Sequence, residues 1–166
     1  MARRHCVRKS AIEVKVVLLS SMECISEMAL GLVGDDEEVQ ETTDRAWWEK
    51  RGSKATLEMT DTLFAMVKTL DTELELRYNK FYVGLYKQGK PNNFVIFRPK
   101  KDYLRIEVRL ECSDELEEKL EESGLELMDY DSRWRRYRIR LAKTDIKKHE
   151  EFLQNLLKLA HDEAAK

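Results

Sequence analysis

Apolar side chains fall at every second position along Tyr103 to Glu111. Leu104, Ile106, Val108 and Leu110 lie on one side, and Arg105, Glu107, Arg109 and Glu111 on the other. Such alternation predicts a β-strand with one face buried and one wet. Tyr137, Ile139 and Leu141 alternate with Arg136, Arg138 and Arg140 in the same way, and Leu125 to Tyr130 reads as a shorter strand. From Leu74 to Val83 the alternation predicts one strand that becomes buried on both faces toward its end. The stretch Gln88 to Asn93 is a hairpin turn by composition, with Phe94 to Phe97 returning and Pro99 ending that strand.

Other segments carry the helical period. Thr43 and Asp44 suit the start of a helix that contains Trp47-Trp48 and stops at Gly52. Ser53 caps a second helix, whose Leu57, Leu63, Phe64, Met66, Val67 and Leu70 share one broad face. Ser113 caps a short helix with Leu116 and Leu120 inward and Gly124 at its stop. Thr144 and Asp145 open a last helix, with Ile146, His149, Leu153, Leu156, Leu157 and Ala160 on its buried side. The order ααβββαββα, with consecutive strands joined by short turns, predicts an α+β domain. Its sheet is antiparallel-rich, with four to five strands and helices packed on one face.

Residues 43–166 make up that domain. Residues 1–42 read as a separate N-terminal segment, with apolar stretches at 14–19 and 28–33 followed by the acidic run Asp35-Asp36-Glu37-Glu38. With 166 residues and 42% hydrophobic composition the chain can bury a core, while 37% charged residues imply a heavily charged surface. No apolar run approaches the ~20 residues of a spanning helix. A soluble, cytoplasmic protein is expected. Cys6, Cys24 and Cys112 are odd in number and widely spaced, which rules out a full disulfide framework and any CxxC metal knuckle and leads to an expectation of free thiols.

A net charge of −2 conceals alternating blocks. Residues 77–109 hold nine Lys/Arg against two acids, and residues 133–140 hold five arginines and no acid. Acidic blocks lie at 35–49 and 111–131. The basic blocks interleave with aromatic residues, a pattern suited to phosphate contact and base stacking. Lys100, Lys101, Arg105, Arg109, Arg136, Arg138 and Arg140 are the candidate phosphate contacts, and Tyr82, Tyr103 and Trp134 the candidate stacking rings. Internal pairing of these arginines with the acidic blocks is the competing reading.

Catalytic chemistry finds little support. Glu13-Val14-Lys15 is an E-x-K half-motif on an apolar stretch, but no acid precedes Glu13 to complete a metal site. His5, His149 and His161 share no metal-ligand spacing, and no glycine-rich phosphate loop exists. Asp129 and Asp131 read as turn residues, and Glu107 as part of an ion-pair ladder with Arg105 and Arg109. No catalytic residue, metal site or cofactor is expected.

Four phrases resemble a known family. They are W-W-E-K-R-G-S-K (47–54), L-R-Y-N-K-F-Y-V-G-L (76–85), K-P-N-N-F-V-I-F-R-P-K-K (90–101) and M-D-Y-D-S-R-W-R-R-Y-R-I-R-L (128–141). Over about residues 44–163 the chain is similar to an uncharacterised prokaryotic C-terminal domain, often found downstream of PD-(D/E)XK nuclease-like domains. The resemblance implies no chemistry of its own. It implies that residues 11–33 are the last strands of such a preceding domain, cut short.

The expected function is therefore a non-enzymatic accessory module. Candidate partners are DNA or RNA, and a nuclease-like protein or domain. The alternative is a protein-interaction or oligomerisation domain using Trp47 and Trp48. A third reading places a small-molecule enzyme site near Asn79, Tyr82, Arg98 and Asp129.

Overall fold

The computed structural model describes residues 42–166; the Glu13-Lys15 half-motif, His5, Cys6 and Cys24 lie outside them. Two helices open the described chain, α1 (Arg45–Arg51) and α2 (Lys54–Leu70). Strands β1 (Leu74–Tyr78), β2 (Val83–Lys87), β3 (Lys90–Pro91), β4 (Val95–Pro99) and β5 (Leu104–Arg109) follow. Then come α3 (Asp114–Glu122), β6 (Glu126–Leu127), β7 (Arg136–Leu141), α4 (Lys143–Lys148) and α5 (Glu150–Ala164). The strands form one antiparallel sheet in the order β1-β2-β4-β5-β7-β6, with β3 paired to β2. The α+β architecture is thus the expected one.

Local chemistry sets the helix ends. The Asp44 carboxylate accepts the Trp47 amide at 2.7 Å and starts α1. Ser53 and Thr56 exchange hydrogen bonds at the start of α2 as a capping box. Ser113 accepts the Leu116 amide, and Asp114, Glu115 and Glu117 place negative charge in the first turn of α3. Arg45 of α1 forks onto Asp61 of α2, with Nη1–Oδ1 at 2.9 Å and Nη2–Oδ2 at 2.6 Å.

One face of the sheet meets the helices. Leu104, Ile106 and Val108 of β5, Tyr137, Ile139 and Leu141 of β7, and Val95 and Phe97 of β4 are fully buried. They pack in one cluster with Leu57, Leu63 and Val67 of α2, Ile146 of α4, and Leu153, Leu157 and Ala160 of α5. Apolar area removed from water is the main favourable term, at about 25 cal/mol per Å². Trp48 joins this core from α1, 2% exposed, and its indole Nε1 donates to the Asn79 carbonyl at 2.9 Å. The large ring is anchored through its polar edge, as a buried indole requires.

Three features depart from the sequence expectation. The run Leu74 to Val83 is two strands, β1 and β2, joined by a tight turn in which the Asn79 amide donates to the Tyr82 carbonyl at 2.9 Å. The turn at Gln88–Asn93 is shorter than expected, because Gln88 (φ 51°) and Gly89 (φ 77°) close β2 onto β3 by themselves. Two successive positive φ values suit the right-handed twist of the flanking strands. The last helix is two, because His149 (φ −118°, ψ 27°) breaks it, and Asp145 accepts the Ala142 amide at 2.7 Å to start α4. His149 is a junction residue and not part of the buried stripe.

Replacing Trp48 with Phe removes the indole donor and leaves the Asn79 carbonyl unpaired in the core. The expected cost is about 1–3 kcal/mol, read from the urea midpoint at unchanged slope. An unchanged midpoint would mean that the hydrogen bond contributes nothing.

Candidate nucleic-acid interface

Alternation that buries one side of β4, β5 and β7 turns their other side away from α2, α4 and α5. That side carries Arg98 on β4, Arg105, Glu107 and Arg109 on β5, and Arg136, Arg138 and Arg140 on β7. Register decides who faces whom. Arg98 pairs with Arg105, Arg105 with Arg140, and Arg109 with Arg136, while Glu107 pairs with Arg138. Three cross-strand pairs are therefore arginine on arginine, an arrangement that disfavours the sheet.

Glu107 compensates for part of that repulsion. Its side chain is 5% exposed, and its Oε1 meets Arg98 Nε at 2.8 Å and Arg105 Nη2 at 3.0 Å. The Arg98 contact is an ion pair rather than an aligned hydrogen bond. Arg136 Nη1 approaches Oε2 at 3.9 Å. Glu107 pairs with Arg105 as expected, but its other partners are Arg98 and Arg136 on the neighbouring strands rather than Arg109, and the cluster is buried rather than wet. Further anchors hold the guanidinium groups at the edges. Arg140 Nη1 meets Glu126 at 2.6 Å, and Arg138 Nε donates to the Asp129 carbonyl at 2.8 Å.

From the acidic block at 111–131, Glu126 thus reaches the face, and Glu111 takes Arg135 at 3.3 Å. Within the described part of the other block, Glu49 pairs with Arg45 and Asp44 caps α1. Among the described residues, guanidinium groups outnumber carboxylates on the face. Burial, with the nearby Arg105, Arg51 and Arg98 adding to it, holds the ammonium pKa of Lys100, beyond the end of β4, below the usual lysine value. Burial likewise lowers the Arg136 pKa.

Aromatic rings flank the guanidinium groups. Arg140 lies 4.0 Å from the centre of the Tyr103 ring, and Arg98 lies 5.8 Å from that of Tyr82. Arg133 and Arg136 lie 5.0 and 5.9 Å from the Trp134 ring. The Tyr82 ring crosses Gly84 so closely that a Cβ there would stand 2.9 Å from it and 2.6 Å from the Asn93 carboxamide oxygen, so any larger residue would have to displace one of these side chains. Lys101 is exposed in the β4–β5 turn. The ten residues expected at a nucleic-acid interface accordingly lie on, or at the rim of, one sheet face.

Other expectations fare differently. Trp48 is core and cannot offer its ring to a partner; Trp47 is half-buried against it, and Arg51 covers both rings at 4.9 and 5.6 Å. Asn79 is buried at the β1 side of the sheet, whereas Asp129 follows β6 at the opposite edge. The structure therefore does not gather Asn79, Tyr82, Arg98 and Asp129 into one site. His161 packs against Phe94, with Nε2 3.9 Å from Asp71. Among the described residues no three His, Cys, Asp or Glu side chains gather to hold a metal ion, and no helix is long and apolar enough to cross a membrane.

Sequence reasoning missed Phe81. It is 53% exposed at the tip of the β1–β2 turn, where Arg98 Nη1 donates to its carbonyl at 3.1 Å. The pattern read that position as mid-strand, and only the two-strand geometry brings the ring to the rim of the basic face.

Fold and face together define an antiparallel α+β domain with a helix-covered side and an arginine-bearing side. The chain belongs to a domain-of-unknown-function family, DUF5655, whose model matches residues 46–163. No curated protein and no solved structure matches the chain.

Replacing Glu107 with Gln leaves Arg98, Arg105 and Arg136 facing one another without a counter-charge. Loss of a buried partner of this kind costs about 3–5 kcal/mol. The variant should unfold at lower urea concentration in chloride and regain part of the loss in sulfate or phosphate, anions that can replace the carboxylate. Equal stability of variant and parent in chloride would refute the central role of Glu107.

Proposed function

We propose that this domain is a non-enzymatic accessory module that contacts the phosphate backbone of nucleic acid through the arginine side of β4, β5 and β7. One observation carries the reading: three arginine-on-arginine pairs stand in register on one sheet face, against the stability of the sheet. A sheet that tolerates such repulsion gains from an external polyanion, which neutralises the groups that Glu107 and Glu126 leave uncompensated. Guanidinium groups suit the task because their planar donors match phosphate oxygens in a fork. Lys100 and Lys101 extend the positive charge past the strand ends.

The role fits the company that the family resemblance implies, a nuclease-like partner or domain of prokaryotic origin acting on DNA or RNA in the cytoplasm. In that arrangement this module supplies affinity and the partner supplies chemistry.

The test is fluorescence anisotropy with labelled oligonucleotides over ~50 to ~200 mM salt, where phosphate binding falls steeply. Affinity should drop at least tenfold across the series. A Lys101→Glu/Arg109→Glu variant changes two exposed positions and spares the Glu107 cluster. It should bind more weakly. Each phosphate that is no longer neutralised takes about 0.7–0.9 from the log–log salt slope, so the slope should be shallower by roughly 1.5. Absence of binding to any oligonucleotide at ~50 mM salt would sink the proposal.

A further inference from the structure

Deepening the nucleic-acid reading and resting on it, we propose that the strand taken by this face is single. Its phosphates would lie along the guanidinium rows and its bases would stack on Tyr103, Trp134 and the rim ring of Phe81.

Shape is the first argument. The major groove of a duplex, about 12 Å wide, admits a helix or a two-stranded ribbon. Here the arginines occupy three adjacent strands, β4, β5 and β7, in the middle of the sheet, with β1 and β2 on one side and β6 on the other. Six strands at about 4.8 Å spacing span roughly 24 Å. Such a surface cannot enter a groove, and a duplex lying on it would offer only the phosphates along its line of contact. The guanidinium groups are also recessed. The Arg98, Arg105 and Arg136 side chains are only 26%, 20% and 15% exposed, while the Phe81 ring stands out at the rim. A flexible single strand can follow that relief, whereas a rigid cylinder rides on its edges.

Ring placement is the second argument. Contact with duplex phosphates needs no aromatic groups, yet rings stand at both ends of the arginine strands. Tyr103 lies over Arg140 beside the Arg98–Arg105–Arg140 row, and Trp134 stands beside Arg136 at the other end. Each ring thus has a guanidinium group at 4.0–5.9 Å. A nucleotide presents the matching pair, a flat base and an anionic phosphate, but its base is free to stack only when it is not already stacked and paired in a duplex. Arg140 and Arg136 are four residues apart on β7, about 13 Å along an extended strand. The two ring–guanidinium pairs would therefore engage separate nucleotides of one chain. Stacking accepts any base, so the expected preference is for strandedness and not for sequence.

The test uses the full chain with labelled 20-mers of deoxythymidine and uridine, and a 20-base-pair duplex as competitor, at ~100 mM salt. The single strands should bind at least tenfold more tightly than the duplex. Tyr103→Ala and Trp134→Ala should each weaken single-strand binding by about five- to a hundredfold, and by a larger factor than they weaken duplex binding. Tyr103→Phe, which keeps a ring, should bind as the parent does. Circular dichroism melting confirms that the variants are folded, and the parent chain's strand preference stands independently of any variant.

Equal or tighter duplex binding would overturn the single-strand proposal, as would ring variants that bind normally. Either result, if binding still falls with Lys101→Glu/Arg109→Glu, leaves the phosphate-contact reading intact. Failure of the parent chain to bind any probe at ~50 mM salt removes both.

Discussion

In an antiparallel sheet the partner of each residue is fixed by register, so arginines at alternate positions of adjacent strands must face one another. β5 and β7 cannot slip to separate them. A shift of one residue would turn either Leu104 and Ile106 of β5 or Tyr137 and Ile139 of β7 out of the core, and the arginines of that strand into it. Burial of one face therefore dictates crowding of charge on the other. Glu107, on the middle outward position of β5, lies within reach of guanidinium groups from both neighbouring strands and makes the crowding tolerable.

This division gives the two faces different tasks. The covered face holds the apolar cluster that α2, α4 and α5 complete, and its stability comes from area removed from water. The opposite face is also partly buried, with Ile96 and Glu107 shielded from water, and it holds its polar side chains by charge. Its guanidinium groups are fixed at one end by Glu107, Glu126 or backbone carbonyls. Side chains held in this way lose less freedom when an anion arrives, which is the benefit of preorganisation.

The parts of the sequence that could be read were those where one principle acts alone. β5 and β7 alternate without interruption, and so strand, face and arginine rows follow from period two. The caps at Asp44, Ser53 and Ser113 are local and equally plain. Legibility failed where two signals overlapped. Lys80, Phe81 and Tyr82 continue the alternation of β1 so well that nothing local marks the turn, which is fixed by the Asn79–Tyr82 hydrogen bond and by Trp48 docking on the Asn79 carbonyl. The Trp47-Trp48 pair reads as two equivalent rings, yet helical geometry sends one to the core and leaves the other at its margin. His149 keeps the helical period but not the helix, because Asp145 and the packing of Ile146 tie α4 down separately. Which arginines face which depends on pairing between strands some thirty residues apart in sequence, and no local pattern records that.

The chain order of the strands has a consequence for how the molecule assembles. β1 to β5 follow one another through short turns, and β6 folds back on β7, but β7 meets β5 only across the α3 segment. Local hairpins form fast, whereas the β5–β7 joint closes a long loop and is the slower event. That joint also brings Arg105 against Arg140 and Arg109 against Arg136. Charge repulsion thus opposes a late docking step as well as the finished fold. Refolding of this domain should quicken as ionic strength rises, because dissolved salt screens the arginines while the joint closes.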